Sequence, residues 1–410
     1  MIKGILGLFW GEPMDNHYDY VIIGGSMAAE AAVAGIRRRD RHGRIALISE
    51  DSFLPYRKPP LSKGLWEGDR LERIFYDRFI GADPALDLLL ATQAVAIEPG
   101  LRRVRLADHR ALHYGHLLLA TGSSLRRFKK WSEHVLYLGS LVDYLRLAKE
   151  VDRVQSLVVV GAGFLGVELA TALARRGKQI SLVYPEGHVL ERVLPPLASR
   201  LVEQEIQASG VGLIAQAQVD NIVAGKGQLC VNLVGGQSMV SDRVVAAIGA
   251  RPRTELAMAA GLDVLQGIVV NEHLQTSDPN IYAAGDVAEF VMAGIHQPIR
   301  VEHEDNAVSQ GRLAGQNMAG ATRAYQHIPF WYSQIGRIMV EGCGLTGPQY
   351  DIISDVHKDQ FRGVFYFLQD SHVVGGVGWN APGFMEFVEE QIKARRIIRP
   401  NDVDSWRWSC

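Results

Sequence analysis

Two stretches of this chain read as strand, glycine turn and helix, and few folds accommodate such a pair. Tyr20 to Ala32 is YVIIGGSMAAEAA, and Leu157 to Ala170 is LVVVGAGFLGVELA. Each passes from a short apolar strand through glycines into a helix of small residues. A helix N-terminus presents unpaired N–H groups and the positive end of the helix dipole, so the turn before it suits a pyrophosphate. Two such turns imply two dinucleotides, and two dinucleotides in one chain point to electron exchange between them.

The chain has 410 residues, more than one core ordinarily supports, so two or three domains are expected. Its net charge of −2 supplies no basic field for nucleic acid. Cys230, Cys343 and Cys410 lie far apart, which predicts a reducing compartment, no disulfide framework and no metal site. No stretch reaches the roughly 18 to 20 apolar residues of a membrane span. Met1 to Gly11 is apolar only briefly and lacks a small-residue cleavage site, so it is expected to pack on the body of a cytoplasmic protein.

The first unit continues from helix Ala28 to Arg39 into strand Arg44 to Ser49, then Glu50. An acid about 20 residues beyond the glycines can accept both ribose hydroxyls. Leu54 to Lys63 (LPYRKPPLSK) holds Pro55, Pro59 and Pro60, which exclude a regular strand or a helix interior and predict a loop. Gly115 to Gly122 reads as a buried strand ending in a turn. The second unit repeats the plan: helix Phe164 to Arg176, strand Gln179 to Tyr184, then Glu186. Val244 to Pro252 echoes the earlier strand and turn, and Ile281 to Val287 is a third such strand. The second unit is therefore expected to be inserted within the first. Alternation in Gly363 to Leu368 and Val373 to Trp379 predicts an antiparallel sheet, followed by a helix over Phe384 to Ala394.

The turns are unequal. Gly24-Gly25-Ser26 places Ser26 and Ala29 where the fingerprint has its second and third glycines. Gly161, Gly163 and Gly166 match in full: one for the turn, one for close approach to the pyrophosphate, one for helix–strand packing. No arginine adjoins Glu186 in sequence, Arg192 being the nearest, so NADH is expected over NADPH. Asp286, at the end of YAAGD, either caps a helix or accepts from a ribityl hydroxyl. Glu168 on a helix is a solvated carboxylate unless a partner holds it.

Taken as an ordered set, GGSMAAEAA, SEDSFLPYRKPPLSK, LLLATGS, GAGFLGVELA, AAIGARP, YAAGDVA and VEHEDNAVSQGRLAG resemble the FAD-dependent pyridine nucleotide-disulfide oxidoreductases. The resemblance covers roughly residues 18 to 400. Within that superfamily it is to the branch of ferredoxin and rubredoxin reductases and apoptosis-inducing factor, with LPYRKPPLSK and RVEHEDNAVSQGRLAGQNMAGA nearest to apoptosis-inducing factor. It implies an α/β fold of two Rossmann-like domains plus a C-terminal α+β domain. The FAD-binding domain would comprise 1–125 and 246–324, the inserted NAD-binding domain 126–245, and an interface domain 325–410.

The resemblance also implies roles. FAD would rest on Gly24, Gly25, Ser26, Ala28, Glu50, Lys58, Lys63, Thr121, Gly122, Arg126 and Asp286, approached by Glu302, His303 and Tyr332. NADH would rest on Gly161, Gly163, Phe164, Leu165, Glu168, Glu186 and Gly249. Lys63, Glu168 and His303 are the expected catalytic residues: Lys63 beside the isoalloxazine, Glu168 on the carboxamide or on Lys63, and His303 near the reacting rings. Lys58 stands where an arginine is usual, and Tyr332 stands before Ser333 where apoptosis-inducing factor has tryptophan, with Trp331 one earlier. Hydride would pass from NADH to flavin N5 and electrons onward to a carrier such as ferredoxin or rubredoxin. The alternatives are a slow apoptosis-inducing-factor-like NADH dehydrogenase and an NADH-sensing scaffold. The loop facing the flavin has no cysteine, which argues against a disulfide reductase. Dimer and monomer are both compatible with the sequence.

Overall fold

The computed structural model describes residues 16–397 apart from 80–82, 132, 226 and 358–361. The expectations about the N-terminal extension and the aromatic C-terminal tail lie outside these residues. Within them the chain is mixed α/β and carries two parallel sheets, each continuing into a glycine turn.

The first sheet has seven strands. Its parallel part orders Leu86–Leu89, Ile45–Ile48, His17–Ile23 and Ala111–Leu119, with Ile281–Ala283 joining the far half of the last. Strands buried on both faces need near-continuous apolar sequence, as Val21 to Ile23, Ile45 to Ile48 and Leu117 to Leu119 supply. The strand expected over Ile281 to Val287 stops at Ala283, because the chain must turn at Gly285 (φ +81°). The first helix, Met27–Arg37, packs against Glu304–Met318 with its backbone almost in contact. A Cβ on Gly311 would lie 2.2 Å from Ala28 O, and one on Gly315 2.2 Å from Ala32 O. Only glycine allows that approach.

The second sheet orders Val211–Ile214, Gln179–Val183, Ser156–Val160, Arg243–Ala246 and Val135–Leu136, all parallel. An antiparallel meander of Val219–Ala224, Leu229–Leu233 and Ser238–Ser241 extends this half. The chain enters and leaves it through two short antiparallel strands, Ser123–Leu125 and Ala250–Pro252. Between the first helix and this unit, the proline-rich segment forms a 3-10 turn, Pro59–Leu61, and a short helix, Gly64–Glu67. Proline is tolerated at the first helical positions, where its missing N–H costs nothing.

The expected C-terminal sheet is present, with five antiparallel strands. In Arg362–Gln369 alternate residues face opposite cores. Val364, Tyr366 and Leu368 join the core of the first sheet, whereas Phe365 and Phe367 join that of the second. This sheet thereby packs against both halves. The final helix, Phe384–Ala394, covers one face through Phe384 and Val388. No helix among the described residues is long and apolar enough to cross a membrane.

Candidate functional site

Both glycine turns open onto one trench of about 1510 Å³. That exceeds the roughly 300–1,000 Å³ of a pocket for a single small ligand. Gly24, Gly25, Ser26, Glu50, Lys58, Thr121, Gly122 and Asp286 line one part, and Gly161, Gly163, Phe164, Leu165, Glu186 and Gly249 another. Glu302 and His303 also line it, while Ala28, Lys63, Arg126, Glu168 and Tyr332 lie outside the lining.

The two turns are built on one register. Gly24 N–H donates to Ile48 O at 2.9 Å, and Gly161 N–H donates to Val183 O at 2.8 Å. A Cβ on Gly24 would stand 2.1 Å from Ala120 O, and one on Gly161 2.3 Å from Ala247 O. Both glycines have positive φ, +137° and +105°. A Cβ on Gly163 would meet nothing within 4 Å, so that position is open toward the trench. Ser26 caps the first helix in an extended conformation, yet its hydroxyl is buried and unbonded among the described residues. The unsatisfied hydroxyl of the first turn and the open glycine of the second each fit a pyrophosphate that accepts hydrogen bonds.

The register also locates the two acids. With Ile48 opposite Val183, Glu50 corresponds to Pro185, and Glu186 sits one residue further along. Neither carboxylate is free. Glu50 Oε2 lies 2.9 Å from Arg253 Nη1. Glu186 Oε1 accepts from Arg192 Nη2 at 3.1 Å, so an arginine does stand beside it in space.

Around Asp286, burial pushes the carboxyl pKa up, opposed by the charge of Lys58, while Ser123 Oγ donates to its Oδ2 at 2.9 Å. Lys58 faces the trench, and its enclosure by protein pushes its ammonium pKa down, opposed by Asp286. Thr121 Oγ1 donates to Arg253 O at 2.8 Å, and Arg126 Nε to Ala250 O at 3.2 Å, where the chain crosses between halves. Glu302 pairs with Arg300 at 2.5 Å.

Glu168 is not a solvated helix carboxylate. It is 8% exposed, with Lys63 Nζ 3.1 Å from Oε1, Ser333 Oγ donating to Oε1 and Ser62 Oγ to Oε2, each at 2.7 Å. Lys63 also sits over the Tyr332 ring, 4.7 Å from its centroid. Alternation along Phe330–Ile335 turns Trp331 inward instead, against Phe164 at 4.9 Å and stacked on His303 at 6.1 Å. The His303 imidazole is pushed down to about 4, first by burial and then by the charge of Lys63. It is therefore neutral at neutral pH, an aromatic wall beside Phe164.

Sequence reasoning did not find Ser62, Ser333, Arg253 or Ser123 as partners of the site. Nothing local marks them: the partners of Glu168 come from the proline loop and from the C-terminal sheet. Cys343 is buried, with its thiol pushed up to about 12 by burial, and is chemically quiet.

The family described as pyridine nucleotide-disulphide oxidoreductase matches residues 18–311. A rubredoxin-NAD(+) reductase of Pseudomonas putida is 32% identical over 79% of this chain and 86% of its own length. A putative apoptosis-inducing factor 1 of Drosophila melanogaster is 32% identical over 82% of this chain and 51% of its own length. The crystal structure of a covalent putidaredoxin reductase–putidaredoxin complex superposes with a TM-score of 0.86 at 31% identity, covering 93% of this chain and 95% of that one.

Proposed function

The chain belongs to the pyridine nucleotide-disulphide oxidoreductase family, and from that premise we propose that it is an FAD-dependent NADH oxidoreductase delivering electrons to a small carrier protein. The observation that carries this reading is the single trench fed by both glycine turns. Residues 1–125 and 246–324 would hold FAD, 126–245 would hold NADH, and 325–410 would supply an interface. FAD when bound supplies a ring that takes a hydride and releases electrons singly.

The side chains support that chemistry by position and charge. Gly24, Gly25, Ser26 and Asp286 would hold the resident dinucleotide, with Lys58 adding a cation. Gly161 and Gly163 would admit the diffusing one, and Phe164 with His303 would orient its reacting ring. Lys63 carries the cation that favours negative charge developing beside it, and Glu168 with its two serine donors fixes that cation in place. His303, neutral, excludes water and offers no proton at neutral pH.

A carrier of the rubredoxin or ferredoxin class is the proposed acceptor, as the names of the relatives suggest. The test is an acceptor screen on the purified yellow holoprotein with NADH. Rapid cytochrome c reduction only after adding rubredoxin or a ferredoxin is the expected result. Failure of every carrier, with a stable long-wavelength band after NADH addition, would favour the apoptosis-inducing-factor-like alternative. A colourless protein that FAD does not reconstitute would remove the assignment altogether.

A further inference from the structure

One wall of the trench is made of rings that come from separate parts of the fold. Phe164 is the first residue of its helix, directly after the open Gly163. His303 stands in extended conformation immediately before helix Glu304–Met318. Both line the trench, and their rings meet edge to face with centroids 5.5 Å apart. One ring follows the second glycine turn, and the other precedes the helix packed on Met27–Arg37. Their spacing therefore depends on how those two parts stand to each other.

A third ring joins them from outside the trench lining. Trp331, in the first strand of the C-terminal sheet, is 6% exposed. Its ring lies 4.9 Å from that of Phe164 and 6.1 Å from that of His303, stacked on the latter at 24°. All three separations fall where aromatic pairs attract. The seat of the indole is built into the sheet. Trp331 pairs with Gly342 across the strands, and a Cβ on Gly342 would fall 2.2 Å from both Cε2 and Cζ2 of the indole. The absent side chain is the space that the indole occupies. Two residues along the same strand, Ser333 Oγ donates to Glu168 at 2.7 Å, so helix Phe164–Arg175 is held at a second point.

Resting on the reading of this trench as the nicotinamide-nucleotide site, we propose that Trp331 is a positioning residue for the nicotinamide ring. It holds Phe164 and His303 at a fixed spacing and so sets the slot that the ring enters, without touching the nucleotide. A flat ring gains from aromatic walls only at a set separation, so walls free to drift would keep the nucleotide and lose the ring.

The test is calorimetric binding of two probes to the oxidised holoprotein. ADP-ribose lacks the nicotinamide; 1,4,5,6-tetrahydro-NAD carries a ring of that shape that cannot give up a hydride. The wild type should bind the second at least about fivefold more tightly. Trp331→Ala should cut that ratio by about fivefold or more and leave ADP-ribose within about twofold. Trp331→Phe, which keeps a ring against Phe164 and His303, should restore most of the ratio. Gly342→Ala retains Trp331 but displaces its indole, so the ratio should fall there too, and this variant serves if Trp331→Ala does not fold. The inference is overturned if the wild-type preference falls short, if the ratio survives in a folded variant, or if both probes weaken together. If ADP-ribose itself fails to bind the wild type, the nucleotide reading of the trench fails and the inference falls with it.

Discussion

The two glycine turns share a backbone register but not their surroundings. The first helix is wedged against Glu304–Met318, where Gly311 and Gly315 let the two backbones nearly touch. The second turn leads into Phe164–Arg175, and its middle glycine, Gly163, faces open space. The first turn's helix is locked against a neighbouring helix, whereas the second turn, tight at Gly161, is open at Gly163 where a ligand would enter. That contrast matches a resident cofactor on one side and an exchanging one on the other.

The contrast breaks most visibly at Gly311. Gly311→Ala places a methyl against a backbone carbonyl, and we expect a stability loss of about 3 kcal/mol, read by denaturant unfolding, together with loss of yellow colour. Close to it in size is Glu168→Ala, which strands Lys63 and two serine hydroxyls. A loss of about 3 kcal/mol is expected, and Glu168→Gln should recover part of it because an amide can still accept from a serine.

His303 gives a pH signature. Its folded value, about 4, is depressed below 6.5, so below pH 6.5 the unfolded chain takes up a proton that the folded one refuses. Stability should therefore fall as pH drops from 6.5 to 4, by about 3 kcal/mol from this group, and His303→Phe should flatten that slope in urea titrations. Tyr332→Leu removes the ring under Lys63 and should cost about 1 kcal/mol, with the wild-type value retained in Tyr332→Phe. Smallest of all is Gly163→Ala, expected within about 0.5 kcal/mol of the parent in stability while weakening 5′-ADP binding. If Gly163→Ala destabilised as much as Gly311→Ala, the two turns would be equally packed and the contrast void.

Much of this architecture was legible beforehand because it is written locally. The second helix starts at Phe164 and the last spans Phe384–Ala394 as the sequence predicts, since glycine turns and apolar spacing act over a few residues. The clasp on Glu168 was legible only in part. Its lysine follows from family likeness, but Ser62 and Ser333 are ordinary serines until folding brings the proline loop and the C-terminal sheet to the same carboxylate. The acid on the second turn was legible as lying beyond the strand end, but only the strand-to-turn hydrogen bonds show that it stands one residue further along than Glu50 does. Likewise Arg192 is separate from Glu186 in sequence, yet the loop folds it back onto the carboxylate.

The short ribbon of Ser123–Leu125 and Ala250–Pro252 has a mechanical meaning. Both chain crossings between the halves run through it, and Arg126 N–H continues the pairing to Gly249 O at 2.9 Å. Two independent tethers would let one half slide or shear past the other. Crossings zipped side by side behave as one strap, which bends far more readily than it stretches. At the strap itself, therefore, the two crossings stay side by side, and the first and last residues of the inserted half are held together.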